Sequence, residues 1–198
     1  MPDEPKLMPR YTLPAIVAHW AIAVLIILNI AIGLLAEQLP EAQIRFAIDT
    51  HKSIGVTVLG LVLLRVLWRL SHRPPPFSAG MAAWERVLAH VAHFGLYALM
   101  LWMPITGWLH DSAWKAAPEI PMRWFGLFEW PRIGLVMAQP EQQKEYLHGL
   151  FGAMHAVGGY ALIAVLLIHV AGALKHQFVD GEPQFRRMWP GRDRGRLQ

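Results

Sequence analysis

Four histidines, His19, His51, His155 and His169, are set into apolar runs of this 198-residue chain. Their spacing can be turned into depth with about 1.5 Å of helical rise per residue. His19 lies nine residues after Arg10, about 13 Å in. His169 lies seven residues before His176, about 10 Å in. His51 lies eighteen residues before Arg69, about 27 Å from the same side. His155 precedes His169 by fourteen residues, about 21 Å, close to four turns, so these two project from nearly one helix face. The chain therefore offers two His–His couples at two depths. Paired imidazoles on facing helices suit the two axial positions of a haem b. With both positions filled, iron has no open site for oxygen, and the chemistry implied is one-electron exchange.

The elements that must position them are membrane spans. The chain is 55% hydrophobic with mean hydropathy +0.32, too apolar for an ordinary soluble domain. Four segments reach the roughly 20 residues that a bilayer requires: about 13–36, 48–70, 85–109 and 146–176. They lack strict alternation, which favours helices over barrel strands. Thr12 and Pro14 are start signals for the first. Gly33, Gly55, Gly60, Gly152, Gly158, Gly159 and Gly172 can allow close helix approach around a flat ring. The expected architecture is all-α, an integral membrane four-helix bundle. A single cytochrome-type domain over residues 1–190 is followed by a basic tail, 191–198. The absence of cysteine excludes disulfides, iron–sulfur clusters and thioether-attached haem.

Lys and Arg set the expected orientation. The N-terminus, the 2–3 connection and the C-terminal tail hold 12 of them, including Lys6, Arg65, Arg69, Arg73, Arg192, Arg194 and Arg196; the other side holds 6. That bias places both termini in the cytoplasm. The net charge of +4 is then a topology signal rather than a nucleic-acid footprint. The HRPPPFSAG connection is stiff, then flexible. The long 3–4 connection, about 112–145, carries Trp114, Trp124, Phe125, Phe128 and Trp130, and is expected to lie along the outer membrane surface or to act as a lid.

Taken together, the near-N-terminal AHW, the THKSIG opening of the second span, LAHVAHFGLY in the third, and H-x13-H-x6-H-x-F closing into RRMWP resemble the bacterial cytochrome b561 family. The resemblance covers roughly residues 9–190. It implies a multi-pass protein of the bacterial inner membrane with two b haems, exchanging electrons with quinone, ubiquinone being the expected one. It puts the iron ligands on His19, His51, His155 and His169, paired His19–His169 and His51–His155. At least one member of that family oxidises superoxide and passes the electron to ubiquinone. The expected donor is therefore superoxide or another donor at the periplasmic face, a donor protein included.

Other residues carry weaker signals. His148, seven residues before His155 on almost the same face, is a second candidate for the outer ligand. His90 and His93 could hydrogen-bond quinone, shuttle its protons or simply pack. Arg65 could hold a haem propionate or snorkel to the interface. Lys52, beside His51, could attract an anion or bind a propionate. His72, His110 and His176 flank the spans and carry no assigned role. Two alternatives to a self-contained carrier remain: a haem-b membrane anchor of a larger oxidoreductase, and a haem-free protein binding or moving a transition metal through its histidines. No Asp or Glu falls in the interior of any span, Asp49 and Glu85 standing at the ends of theirs, which argues against a carboxylate-based ion pump.

Overall fold

A computed structural model describes residues 10–77, 80–182 and 184–189. Lys6, Ser78, Ala79 and the basic tail of residues 191–198 lie outside the described residues. Helix α1 (Leu13–Leu35) starts after Thr12 with Pro14 in its first turn, where a missing N–H costs nothing. The Thr12 hydroxyl accepts from Trp68 Nε1 at 2.8 Å instead of capping its own helix. A short 3-10 turn (Ala36–Gln38) leads to Pro40 and α2 (Glu41–Ser71). Then come α3 (Ala83–Ser112), a two-residue hairpin of β1 (Arg123–Trp124) and β2 (Phe128–Glu129), and α4 (Gly134–Met137). The chain ends in α5 (Glu141–Phe178) and α6 (Gln184–Met188).

Four of these helices are long and apolar enough to cross a membrane. They turn many large apolar side chains outward, such as Leu64 at 64%, Phe94 at 76% and Val157 at 70% exposure. In water that pattern would be aggregation-prone; in lipid it is the solvated face. The helices run beyond the apolar segments. Helix α2 begins at Glu41, seven residues ahead of the expected start, because hydropathy marks the bilayer and not the helix. Pro40 supplies the actual boundary.

Packing divides the bundle unevenly. Helix α1 lies along α2, α3 lies along α5, and α2 touches α3. Neither α1 nor α2 packs closely on α5. The buried centre consists of Ile22 and Ile26, Ile54, Val58 and Val62, Met100 and Leu162. Both described chain ends meet at one end of the bundle, here called the terminal end. There the backbone N–H of Tyr11 donates to Arg187 O at 3.3 Å, and Trp20 Nε1 donates to Met188 O at 2.6 Å.

At the opposite, loop end, α3 continues to Ser112 and carries Asp111 inside it, 5% exposed. The carboxylate accepts from Lys52 Nζ at 2.5 Å and from Arg132 Nε at 2.8 Å. Arg132 also donates to the carbonyls of Ala117 and Ile120 at 2.7 and 2.8 Å. The expected surface loop is thus a folded cap, pinned from inside. Trp124 donates to Thr57 Oγ1 at 3.0 Å, and Ser53 Oγ accepts from Phe125 N at 2.9 Å. The hairpin turn runs through Phe125 and Gly126, both at positive φ, a conformation that Gly126 tolerates at no steric cost. Replacing Asp111 by Ala strands two poorly solvated cations. It should cost about 3 kcal/mol or more, read as a lower unfolding midpoint and faster proteolysis between residues 113 and 133. Asp111→Asn should fall between Ala and the parent.

Candidate functional site

The structure brings the four histidines together in two couples, both half-buried within the bundle. The rings of His19 on α1 and His169 on α5 have centres 6.2 Å apart at an interplanar angle of 72°. Those of His51 on α2 and His155 on α5 are 6.0 Å apart at 78°. Each couple bridges two helices that otherwise do not pack closely. Two imidazoles holding one metal between them, with bonds of about 2 Å and about 1.1 Å from each nitrogen to its ring centre, would have ring centres about 6.2 Å apart. Both couples match that separation.

The loop-end couple is oriented by hydrogen bonds on the other ring nitrogen. His51 Nδ1–H donates to Asn29 O at 3.1 Å. His155 Nδ1–H donates to Met103 O at 3.0 Å, with Thr106 Oγ1 also at 3.1 Å. The Thr106 hydroxyl, donating in turn to Trp102 O at 2.9 Å, is free to accept. A proton fixed on Nδ1 leaves Nε2 with its lone pair, the form in which histidine binds metal. Two glycines let these rings lie against helix backbone. A Cβ at Gly33 would stand 3.0 Å from Cε1 of His51, and one at Gly107 would stand 3.1 Å from Cε1 of His155.

The terminal-end couple opens into a cavity of about 520 Å³, lined by His19, His169, His93, Arg65 and Tyr97 among others. That is ample for a flat macrocycle. Arg65 does not snorkel. It turns inward, donating from Nη1 to Ala15 O at 2.6 Å and from Nε to the Tyr97 hydroxyl at 3.0 Å. It lines the cavity, and the Ala15 carbonyl that it holds lies one turn before His19 on α1. His93 packs on His169 with centres 5.1 Å apart at 71°. It thus packs closer to His169 than His19 does, as a neighbour to this couple.

The remaining sequence candidates fall elsewhere. His148 stacks on His110, centres 3.8 Å apart and planes within 16°. Each Nδ1–H donates to the other's backbone carbonyl, at 2.9 and 3.0 Å. This face-to-face stack leaves no room for a ligand between the rings. Gly152 makes it possible, since a Cβ there would meet the His110 ring at 3.0 Å. His90 is exposed, bonded to Arg86 O of its own helix and edge-on to Phe77. Lys52 is committed to Asp111.

Sequence reasoning missed His176. It lines the large cavity, and its Nδ1 lies 2.7 Å from Asp180 Oδ2. Glu85, His176 and Asp180 come close enough to share a cation, and Lys175 supplies one, at 2.6 Å from Glu85 and 2.8 Å from Asp180. The hydrogen bond from Lys175 holds the Asp180 carboxyl below its ordinary value. The H-x6-H spacing to His169, nearly two turns, was the available signal.

Known proteins resemble this chain along most of its length. It is 28% identical over 181 residues to "Cytochrome b561 homolog 2" of Escherichia coli (strain K12), covering 90% of each chain. It is 26% identical over 185 residues to "Probable superoxide oxidase CybB" of Yersinia pestis, covering 91% of this chain and 96% of that one. It is also 26% identical over 190 residues to "Cytochrome b562" of Cereibacter sphaeroides, covering 91% and 95%. Residues 10–191 match the family model described as prokaryotic cytochrome b561, and the chain belongs to that family, as a membrane-spanning b-type cytochrome of electron transport.

Proposed function

We propose that the chain carries two b haems across the bacterial inner membrane and transfers electrons between a donor at the periplasmic face and membrane quinone. The observation that carries this reading is the pair of imidazole couples, 6.2 and 6.0 Å apart, each bridging helices that otherwise do not pack closely. A haem b held by each couple supplies one-electron exchange between ferrous and ferric iron. His19 and His169 would hold the haem at the terminal end, and His51 and His155 the haem at the loop end. Both termini lie in the cytoplasm, in keeping with the excess of Lys and Arg there. Residues 1–190 form one cytochrome domain.

The protein residues have definable tasks. Met103 O and Thr106 hold His155 in its metal-binding tautomer, and Asn29 O does the same for His51. Hydrogen bonds of this kind also raise imidazole basicity and so bear on the potential. Arg65, which lines the same cavity as His19, would hold a haem propionate by its guanidinium. Quinone, ubiquinone by the family resemblance, is the substrate proposed for the large cavity, which His93 and His176 line with ring nitrogens suited to its carbonyls. The named likeness to a probable superoxide oxidase supports superoxide as donor. A second reading, a membrane anchor for a larger oxidoreductase, is favoured by the hairpin at the loop end, where Leu127 is 73% exposed beside Phe125 and Phe128.

A reduced-minus-oxidised visible spectrum of the purified protein should show a sharp b-type α band with two haems per chain. A flat spectrum with stoichiometric zinc or copper would sink the reading. His155→Ala should remove one haem and leave the other, whereas His148→Ala should keep both; the reverse result would move the ligand role to His148. Gly107→Val should drive a side chain into the His155 ring and release the loop-end haem while the terminal-end haem persists. Pyridine-haemochrome quantitation of each variant reads these outcomes directly.

A further inference from the structure

Two N–H donors in the loop-end cap are buried with nothing to accept from them. The Arg132 side chain is 6% exposed. Its Nε donates to Asp111, and its Nη1 to the carbonyls of Ala117 and Ile120. The third nitrogen, Nη2, is buried and meets no acceptor among the described residues. Two residues earlier, Trp130 Nε1 is in the same condition, its ring in edge contact with Trp108 of α3. A buried donor without a partner costs about 1–3 kcal/mol, and more when it is charged. Two in one short segment point to an acceptor that the polypeptide does not itself supply.

The charge balance points to an anion. Arg45, Lys52 and Arg132 share the carboxylates of Asp49 and Asp111 in one connected group. Three cations against two carboxylates leave one positive charge in excess. Water screens the exposed end of the group, at Arg45 and Asp49. At the buried end, Arg132 and Asp111 have no such relief, and an uncompensated charge there is costly. The group is also anchored beside the loop-end couple. Lys52 follows His51 in α2. Asp111 stands one turn beyond Gly107 on α3, against which the His155 ring lies. An anion from solution would have to reach a buried nitrogen, whereas a haem held between His51 and His155 carries carboxylates of its own.

We infer that Arg132 holds a propionate of the loop-end haem through Nη2. The inference rests on the two-haem reading proposed above. A guanidinium suits the task because it can keep Asp111 and two carbonyls on two of its nitrogens and still present a third to a carboxylate, in a charge-assisted hydrogen bond. The cap formed by the 3–4 connection is then part of the cofactor site.

The test uses the full-length, haem-loaded His19→Ala protein, expected to keep the loop-end haem alone, with carbon-13 at the haem propionate carboxyls. In ferrous-minus-ferric infrared spectra the propionates are then the isotope-sensitive carboxylate bands. Arg132→Lys keeps a cation for Asp111 but gives up the spare N–H groups. It should shift or abolish one of those bands while the visible α band persists. Arg123→Lys, an exposed cation of the same cap, should change none. Unchanged bands in Arg132→Lys would overturn the inference and assign the spare nitrogen to water. A second measurement leaves Arg132 in place. His155→Ala, without the loop-end haem, should be cleaved between residues 113 and 133 about tenfold faster than His19→Ala, the loss expected for a hydrogen bond between charged groups. Equal cleavage of the two proteins would leave Arg132 with its ties inside the cap only, and would also overturn the inference. Complete loss of the α band in His19→Ala, with the band present in the parent, would remove the loop-end haem itself and the two-haem reading with it.

Discussion

An imidazole placed in a bilayer must satisfy two ring nitrogens without water. That requirement organises this molecule. At the loop-end couple, one nitrogen of each ring is tied to a carbonyl of a neighbouring helix, and the other is left with an unused lone pair. Leaving such a group unmatched in hydrocarbon is costly. The His110–His148 stack shows the other solution open to the same side chain. There, each ring reaches across the α3–α5 seam to the opposite backbone. One arrangement closes two helices together, and the other holds two helices apart at a separation fit for a metal.

The helix packing follows from this. Lipid is as apolar as a leucine core, so burial alone does little to draw spans together. Small residues and polar ties must do it. Gly152 and Gly158 let α5 receive the His110 and Trp102 side chains of α3. Asp111, held between Lys52 and Arg132, ties α3 to α2 and to the folded cap. Helices α1 and α5 are not drawn together in that way, and the larger cavity opens where His19 and His169 meet.

How much of this was legible in the sequence depends on what each feature rests on. Four spans were readable because bilayer thickness fixes a length and lipid fixes a composition. The meeting of His19 with His169 and of His51 with His155 was readable because depth is linear in residue number along a helix. Their roles as iron ligands are a reading of that geometry and of the family. The helical extension from Glu41 was hidden, since nothing apolar marks it. The inward turn of Arg65 depends on Ala15 O and Tyr97, residues 50 and 32 positions away. His148 shared a helix face with His155, and periodicity could not separate them. What separates them is His110, on another helix. His176 sat in a readable spacing without a partner to give it meaning until Asp180 and the cavity were in view.

One feature of the couples bears on how the protein is made. Both draw one member from α5, which is made after α1, α2 and α3. A nascent chain with three helices already inserted has imidazoles at residues 19 and 51 but nothing opposite either one. Neither couple can form before α5 is made, so order of synthesis gives neither precedence over the other. Until α5 arrives, His19 and His51 stand without the imidazoles that later face them and must be tolerated by the lipid or by the insertion machinery.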